Sequence, residues 1–335
     1  MRILITTGIY PPKIGGPAQY SKNLKEALIK EGIEVSVATF GIESYLPTGL
    51  RHFWFMLKIV PKVLFSDVVI SMDTFSVALP SAIVSKLFHK NMYIRTGGDF
   101  LWEQYVERTG KKVLFREFYK TELKNFSKKE KIIFDLTKWT LKNTKKIIFS
   151  TAWQRDIFIS AYGLDLNNTS IIENYYGLKE GDTLAIKKDF IASTRELVWK
   201  NIDFLKKIFD KIKDNHPEAQ LVTKNSSFDD FMNQMKESYA VILVSLGDIS
   251  PNMILDAIRF NRPFICTKEI GIFERIKDAG IFVDPMNEKQ IENAVLELLT
   301  TEGYTNAKDK VIRFNYLHSW TDIAKEFLIE IGYKK

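Results

Sequence analysis

The sequence predicts an α/β protein with two domains, each built on a parallel sheet. The chain has 335 residues, more than a single hydrophobic core usually organises. Short apolar segments of strand length alternate with longer amphipathic segments of helical period. The first apolar segment, 3–5, leads into a glycine-containing loop, a helical segment from Pro17 to about Lys30 and a second strand at 35–38. Strand, helix and strand in this succession form a βαβ unit, whose strands are parallel.

The remaining elements repeat this alternation. Apolar runs predict strands at 68–71, 92–95, 145–150, 190–192, 219–222, 241–244 and 264–266, and helical periodicity predicts helices at 79–88, 108–146, 153–162, 290–299 and 317–331. Residues 178–188 are polar and make the most plausible linker. The sequence thus divides into two successive α/β halves.

Composition limits the class of protein. The chain is 45% hydrophobic and 27% charged, which is typical of a globular protein. No segment approaches the roughly 20 uninterrupted apolar residues of a membrane span. Cys266 is the single cysteine, it lies in an apolar strand, and the four histidines are scattered. We therefore expect a cytoplasmic protein that contains neither an intramolecular disulfide nor a metal site.

Positive charge is concentrated in residues 108–146, which hold 13 basic and four acidic residues. One interpretation is a solvated helical face, and the other is a basic amphipathic surface for anionic lipid headgroups. Phe53, Trp54 and Phe55 would add an apolar edge to such a surface, although core packing explains them equally well. Nucleic acid is electrostatically compatible with this charge, but the sequence contains no recognition motif for it.

Two aspartates stand at the centre of the second half. Asp248 lies in a polar loop after the strand at 241–244, and Asp256 lies inside the helix that begins near 251–252. Ser250 precedes Pro251, where its hydroxyl is expected to cap the free amides of the helix. A carboxylate beside unpaired helix amides suits a ligand with both hydroxyls and phosphates.

This segment resembles the donor-site signature of retaining glycosyltransferases of family 4, in which two glutamates are separated by seven residues. The family has the GT-B fold, two Rossmann-like parallel-sheet domains facing across a cleft. The resemblance implies that Asp248 contacts the transferred sugar and that Asp256 contacts the nucleotide ribose. We assign Ser250, Asn252 and Met253 to the same donor site. Because each aspartate is one methylene shorter than glutamate, the donor preference is not carried over.

Two further segments match the family in order. Arg195 and Lys200 occupy the places of the cations that clamp the donor diphosphate, and Gly15 and Gly16 resemble the glycine loop that approaches the same group. The alternative for Arg195 and Lys200 is a surface salt bridge with Glu196 or Asp203. For the glycines, the alternative is a tight strand-to-helix turn.

The chain also departs from the family. Many relatives carry a histidine after the fourth strand, and this chain has Gly97-Gly98-Asp99 there. Asp99 and Glu103 are our candidates for contacts with sugar or acceptor hydroxyls, and helix capping is an equal alternative for Asp99. Residues 224–227 replace a longer glycine-rich region of the relatives, so the base is not implied.

The resemblance implies an acceptor-side domain at 1–177, the linker at 178–188 and a sugar-nucleotide domain at 189–316, with the helix at about 317–335 packing back on the first domain. It implies a retaining, metal-independent glycosyltransferase without a cofactor, acting on a glycan or lipid-linked acceptor in cell-surface polysaccharide or glycolipid synthesis. Residues 108–146 would bring it to the inner face of an anionic membrane, and no nucleic-acid partner is expected.

Two alternatives remain open. A degenerate glycosyltransferase-like protein would bind a membrane or a partner through the basic residues 108–146 without turnover, and the aspartate pair and the absent histidine keep this alternative open. An NAD-dependent oxidoreductase requires G-x-G-x-x-G after the first strand, and K-I-G-G-P at 13–17 does not match this motif.

Overall fold

A computed structural model shows two compact units. The first comprises Met1–Leu101, Lys120–Tyr175 and His318–Lys335, and the second comprises Trp102–Tyr119 and Tyr176–Leu317. The structure describes residues 1–13, 15–181, 185, 187–193, 195–223 and 227–333. Parts of the expected linker and of the 224–227 turn lie outside these residues.

The described part of the first unit contains a six-stranded parallel sheet with the order β2-β1-β3-β4-β5-β6. Its strands are β1 (Arg2–Thr7), β2 (Glu34–Thr39), β3 (Val68–Ser71), β4 (Asn91–Thr96), β5 (Lys146–Phe149) and β6 (Thr169–Ile171). The strand order reverses between β1 and β3, as in a Rossmann-like sheet. The loops that follow β1 and β3 therefore lie side by side at the carboxyl edge.

Helices alternate with these strands along the chain. They are α1 (Gly16–Lys30), α2 (Thr48–Leu64), α3 (Ala78–Leu87), α4 (Phe100–Thr109), α5 (Phe115–Thr121), α6 (Lys128–Lys142) and α7 (Ala152–Tyr162). A capping box between Ser127 and Glu130 starts α6, and the left-handed Gly163 ends α7. The long helical segment expected at 108–146 is thus divided among α4, α5 and α6.

The second unit repeats the plan. Its described strands are β7 (Asp189–Ile191), β8 (Gln220–Val222), β9 (Ala240–Leu243), β10 (Phe264–Thr267) and β11 (Ile281–Val283). They pair in parallel in the order β11-β10-β9-β7-β8. The order reverses between β7 and β9, so the loops that follow these two strands lie side by side.

The helices of this unit are α8 (Ile202–Lys213), α9 (Phe228–Glu237), α10 (Asn252–Arg259), α11 (Phe273–Ile276), α12 (Glu288–Leu299) and α13 (Thr301–Arg313), and α14 (Trp320–Glu330) follows them in the chain. In α8 the buried residues Leu205, Ile208, Phe209 and Ile212 recur at helical spacing and join the core beside β7 and β9. This amphipathic pattern explains why α8 forms and which face it buries.

The last helix, α14, belongs to the first unit. Ile323, Ala324, Phe327 and Leu328 are buried in one core with residues of α1 and of the first sheet. The sequence predicted this return of the chain. It placed residues 102–119 in the first domain, however, whereas they group with the second unit.

Candidate functional site

Two oppositely charged side chains meet at the carboxyl edge of the second sheet. Lys200 follows β7 and Asp248 follows β9, where the strand order reverses. Ligands of open parallel sheets bind at this position. The Lys200 Nζ lies 2.6 Å from the Asp248 Oδ2, and the two side chains are only 12% and 15% exposed. The structure thus brings together two residues that the sequence assigned to one site.

The backbone fixes Asp248 on both sides. Its N–H donates to the carbonyl of Glu269 over 2.9 Å, and its carbonyl accepts from the N–H of Gly271 over 3.0 Å. Asp248 also pairs with Ile270 in a parallel bridge. The loop after β9 is therefore joined to the loop after β10, which holds the carboxylate in one place.

Lys200 is held by its neighbour Trp199. The Lys200 Nζ lies 4.3 Å from the centre of the Trp199 ring, a cation–π distance. The carbonyl of Trp199 accepts a hydrogen bond from the N–H of Leu246 over 2.8 Å. Because this bond joins the loops after β7 and β9, the ammonium and the carboxylate are positioned by the same backbone framework.

Arg195 lies in the loop after β7 and is exposed. Its guanidinium makes no hydrogen bond or ion pair with the residues that the structure describes. Glu196 instead pairs with Lys206 over 2.6 Å. The alternative salt bridge of Arg195 with Glu196 or Asp203 is thus not formed, and the guanidinium remains available to a ligand.

Asp256 lies in the second turn of α10, with its side chain 23% exposed. Burial raises the pKa of Asp256 to about 6, an effect that Arg259 opposes and Glu180 reinforces. Arg259 lies 3.4 Å from Asp256 but 2.7 Å from Glu180. Since Arg259 binds mainly to Glu180, Asp256 has only a weak internal partner.

The start of α10 differs from the expectation. The capping position is Pro251, and the helix has no side-chain cap. The expected cap by Ser250 is wrong because a capping oxygen must come from the residue directly before the helix, and Ser250 is one position too early. Its Oγ is buried and finds no partner among the described residues. The amides of Asn252 and Met253 consequently have no capping side chain, which leaves an anion-binding helix start.

The segment Trp102–Tyr119, which we call the strap, packs on these loops. Trp102 contacts the rings of Phe115 and Trp199 at centroid distances of 5.2 and 5.6 Å. The N–H of Phe115 donates to the carbonyl of Leu246 over 3.1 Å. A Cβ at Gly247 would lie 2.5 Å from the Phe115 Cβ. Only glycine therefore allows the strap to approach the residue before Asp248 this closely.

Two polar contacts extend the strap to the neighbouring loops. The Lys112 Nζ donates to the Oδ1 of the buried Asn201 over 2.7 Å. Arg116 lies 2.8 Å from the carboxylate of Glu269, whose side chain is 4% exposed. Burial raises the pKa of Glu269, and the Arg116 guanidinium opposes that shift. No local motif of the sequence marks Trp102, Arg116 or Glu269 as part of the site.

Gly15 and Gly16 lie at the carboxyl edge of the first sheet, where Gly15 precedes α1 and Gly16 begins it. A Cβ at Gly15 would lie 2.8 Å from the Ile9 Cδ1, so this turn favours a residue without a side chain. Asp73 follows the neighbouring β3 and accepts hydrogen bonds from the amides of Phe75, Val77 and Ala78. Burial nevertheless raises its pKa to about 6.

The two acceptor candidates fall in different units. Asp99 belongs to the first unit and is buried, whereas Glu103 lies in the strap and is half-buried. The residues 108–146 are likewise divided after Tyr119. In this part of the chain, Ile132 and Leu136 are the large apolar side chains that are exposed among the described residues.

Within the described residues, no three histidine, cysteine or acidic side chains cluster in a way that would hold a metal ion. Among the same residues, no helix has both the length and the apolar character needed to cross a membrane.

Solved structures show which fold this is. The chain matches HepE of Anabaena in complex with UDP (TM-score 0.67, 13% identity, 99% of this chain and 100% of that one). It matches a sucrose-phosphate synthase of Thermosynechococcus elongatus (TM-score 0.68, 12% identity, 99% and 98%). It also matches WaaG, a glycosyltransferase involved in lipopolysaccharide biosynthesis (TM-score 0.67, 10% identity, 99% and 100%). The predicted GT-B fold is confirmed.

The fold does not by itself name an activity. A UDP-GlcNAc 2-epimerase of Methanocaldococcus jannaschii matches with a TM-score of 0.54 at 12% identity, over 99% of both chains. No family model matches the sequence, and no curated protein matches it.

Proposed function

We propose that the chain is a retaining glycosyltransferase of family 4 that takes its sugar from a nucleotide-sugar donor. The observation that carries the proposal is the meeting of Lys200 and Asp248 at the strand reversal of the second sheet. A cation for phosphate and a carboxylate for hydroxyls stand there side by side, as a sugar diphosphate requires. The GT-B neighbours, among them HepE with UDP, support the same donor class.

In the proposed mechanism, positive charge compensates the departing diphosphate. Arg195 and Lys200 bind the phosphates, and the amides at the start of α10 add the partial positive charge of a helix N-terminus. The resemblance to family 4 also assigns Gly15 and Gly16 to donor binding. Negative charge grows on the diphosphate as the bond to the sugar breaks, so these groups stabilise the transition state more than the ground state.

The carboxylates bind hydroxyl groups in this scheme. Donor binding separates the resting ion pair, so that Lys200 moves to phosphate and Asp248 accepts from sugar hydroxyls. Asp256 accepts from the ribose, with Ser250, Asn252 and Met253 beside it. The acceptor oxygen bonds to the anomeric carbon on the face from which the phosphate oxygen leaves, and that phosphate oxygen takes the acceptor proton. This route needs no protein nucleophile.

The proposed acceptor is a glycan or a lipid-linked sugar, bound through Asp99 and Glu103. WaaG, a structural neighbour, acts in lipopolysaccharide biosynthesis, and the basic residues 108–146 suit an anionic membrane surface at the cytoplasmic face. Neither a metal nor a cofactor enters the proposal, because two cations and helix amides already serve the diphosphate.

A binding protein without turnover is the second candidate. The observation that favours it is the absence of a histidine after β4, where many relatives place a sugar contact. It predicts that a nucleoside diphosphate binds but that no acceptor receives sugar.

Calorimetric titration with UDP, GDP, ADP and NAD, repeated on Asp256→Ala, tests the proposal. Saturable binding of one nucleoside diphosphate that weakens in the variant is the expected result. Binding of NAD alone would instead indicate an oxidoreductase. If none of the four ligands binds, the proposed donor site is rejected. A second assay measures release of the diphosphate from a nucleotide sugar. Release that requires the acceptor indicates transfer, and no release indicates binding without turnover.

A further inference from the structure

Helix α2 carries a row of large apolar side chains on its outer surface. Leu50, Phe53, Trp54, Leu57 and Leu64 are between 45% and 60% exposed. Their spacing of three, four and seven residues places them on one face of the helix. A contiguous apolar face of this kind on a folded protein marks an interaction surface.

The opposite face of α2 already forms the core contact. Phe55, Ile59 and Val63 are fully buried, and at 100° per residue they lie about 180° from the exposed row. The outer row therefore lies on the side of α2 that points away from this core contact. A helix that is apolar on two opposite faces needs a second apolar environment.

The outer row continues beyond the helix. Ile42 and Tyr45 before it and Phe65 after it are 64%, 91% and 70% exposed. A surface cavity of about 480 Å³ opens beside the row, lined by Ile42, Glu43, Trp54, Leu57 and Lys58. We call Ile42, Tyr45, the outer row and Phe65 together the α2 face.

The charge around the α2 face is positive. No aspartate or glutamate occurs at 44–66, whereas Arg51, Lys58 and Lys62 do and, by helical spacing, share one flank of α2. Both acids that flank this stretch are paired, because Glu43 is buried against Lys58 at 2.9 Å and the exposed Asp67 lies 3.6 Å from Arg2. Arg51 and Lys62 have no acidic partner among the described residues and donate hydrogen bonds to nearby backbone carbonyls. An apolar helix face with aromatic side chains and a basic flank is typical of helices that lie in the headgroup layer of a membrane.

We propose that the α2 face docks on an anionic lipid bilayer, with its apolar side chains below the headgroups and its basic flank beside the phosphates. A second copy of the chain fits less well, because a two-fold contact brings the same basic flank together from both sides. The proposal rests on the proposed function in one respect, since a lipid-linked acceptor is what would require the enzyme at a membrane.

Co-sedimentation of the full chain with phosphatidylcholine vesicles, with and without phosphatidylglycerol, tests this surface. The variant Phe53→Ser/Leu57→Ser removes the centre of the α2 face. The matched control is Leu87→Ser/Ile329→Ser, at two exposed apolar positions of the same unit, 68% and 73% exposed. We expect the α2 variant to bind anionic vesicles about tenfold more weakly or worse, because two side chains no longer enter the bilayer, and the control to bind like the original chain.

Several outcomes would overturn the proposal: no vesicle binding by the original chain, equal binding by the α2 variant, or equal loss in the control. A dimer in the absence of vesicles that the α2 variant converts to monomer would assign the face to a second copy. Nucleoside diphosphate binding, measured in all variants without lipid, reports on the donor site separately. The docking surface and the proposed function can therefore fail independently.

Discussion

Gly247→Ala tests whether the strap packs on the loop that carries Asp248. The new methyl carbon would lie 2.5 Å from the Phe115 Cβ and 3.1 Å from the Trp102 Cη2. An ordinary carbon–carbon contact is about 3.5–4.0 Å, so the two backbones must separate by about 1 Å. Because the nearest atom is a Cβ, no side-chain rotation relieves the clash.

The cost combines two effects. Overpacking of a well-filled site typically costs about 1–3 kcal/mol, and separation weakens the 3.1 Å hydrogen bond from Phe115 to Leu246, which is worth about 1 kcal/mol. We therefore expect the free energy of unfolding to fall by about 2–4 kcal/mol. For a unit of this size the corresponding fall in Tm is about 4–16 °C.

Urea denaturation and calorimetry measure this difference, and nucleoside diphosphate titration in the same variant reports on the site. Gly49→Ala is the matched control, because a Cβ at Gly49 meets nothing within 4 Å. If Gly247→Ala is as stable as the control and binds nucleotide normally, the strap does not lie against this loop, and our account of how Asp248 is positioned fails.

Four further predictions concern single groups. The pKa of Asp256 is about 6 in the folded chain and about 3.9 when unfolded, so the cost of ionising it on folding grows from about pH 4 to pH 6 and is constant above. The gain in the free energy of unfolding from Asp256→Asn should therefore be about 2 kcal/mol larger at pH 7.5 than at pH 4.5, and an equal gain at both would contradict this. Arg195→Ala should weaken nucleoside diphosphate binding about tenfold or more, because a charged hydrogen bond to phosphate is lost. The Tm should not change, because the side chain is exposed. Undiminished affinity in this variant would show that Arg195 is not part of the site. Arg116→Ala should lower the free energy of unfolding by about 1–2 kcal/mol, because the buried Glu269 carboxylate loses its cation. The same substitution should cost less in a Glu269→Gln background, and equal losses in the two backgrounds would contradict the pairing. Sugar transfer should persist in EDTA, and a loss that Mg²⁺ restores would contradict the metal-free mechanism.

The sequence was sufficient for the fold because the fold depends on local patterns. Short apolar runs between helical segments predicted parallel sheets, and parallel strands place their loops at one edge. Lys200 and Asp248 follow two such strands, so their meeting could be expected from topology. Their direct pairing over 2.6 Å could not, because the path of each loop depends on contacts that no pattern encodes.

The strap shows where sequence reasoning was insufficient. Trp102 and Phe115 are apolar residues among cations, and a local pattern describes them equally well as one face of a long basic helix. Their packing on Trp199 and beside Gly247 is a contact between segments about 100 residues or more apart. The predicted cap of α10 was wrong for a smaller reason. The helix begins one residue later than a cap by Ser250 requires, so Pro251 holds the capping position.

The order in which the units are completed has a consequence for synthesis on the ribosome. The strap emerges long before Tyr176–Leu317, the part of the second unit on which it packs. The α14 helix, whose Phe327 and Leu328 complete the core beside α1, is made after the second unit. At about 5–20 residues per second, the nascent first unit waits on the order of 10 s with the apolar surface of α1 uncovered. Transiently exposed apolar surface of this kind promotes aggregation, and a gene cut between the two halves would leave each product without part of its own core.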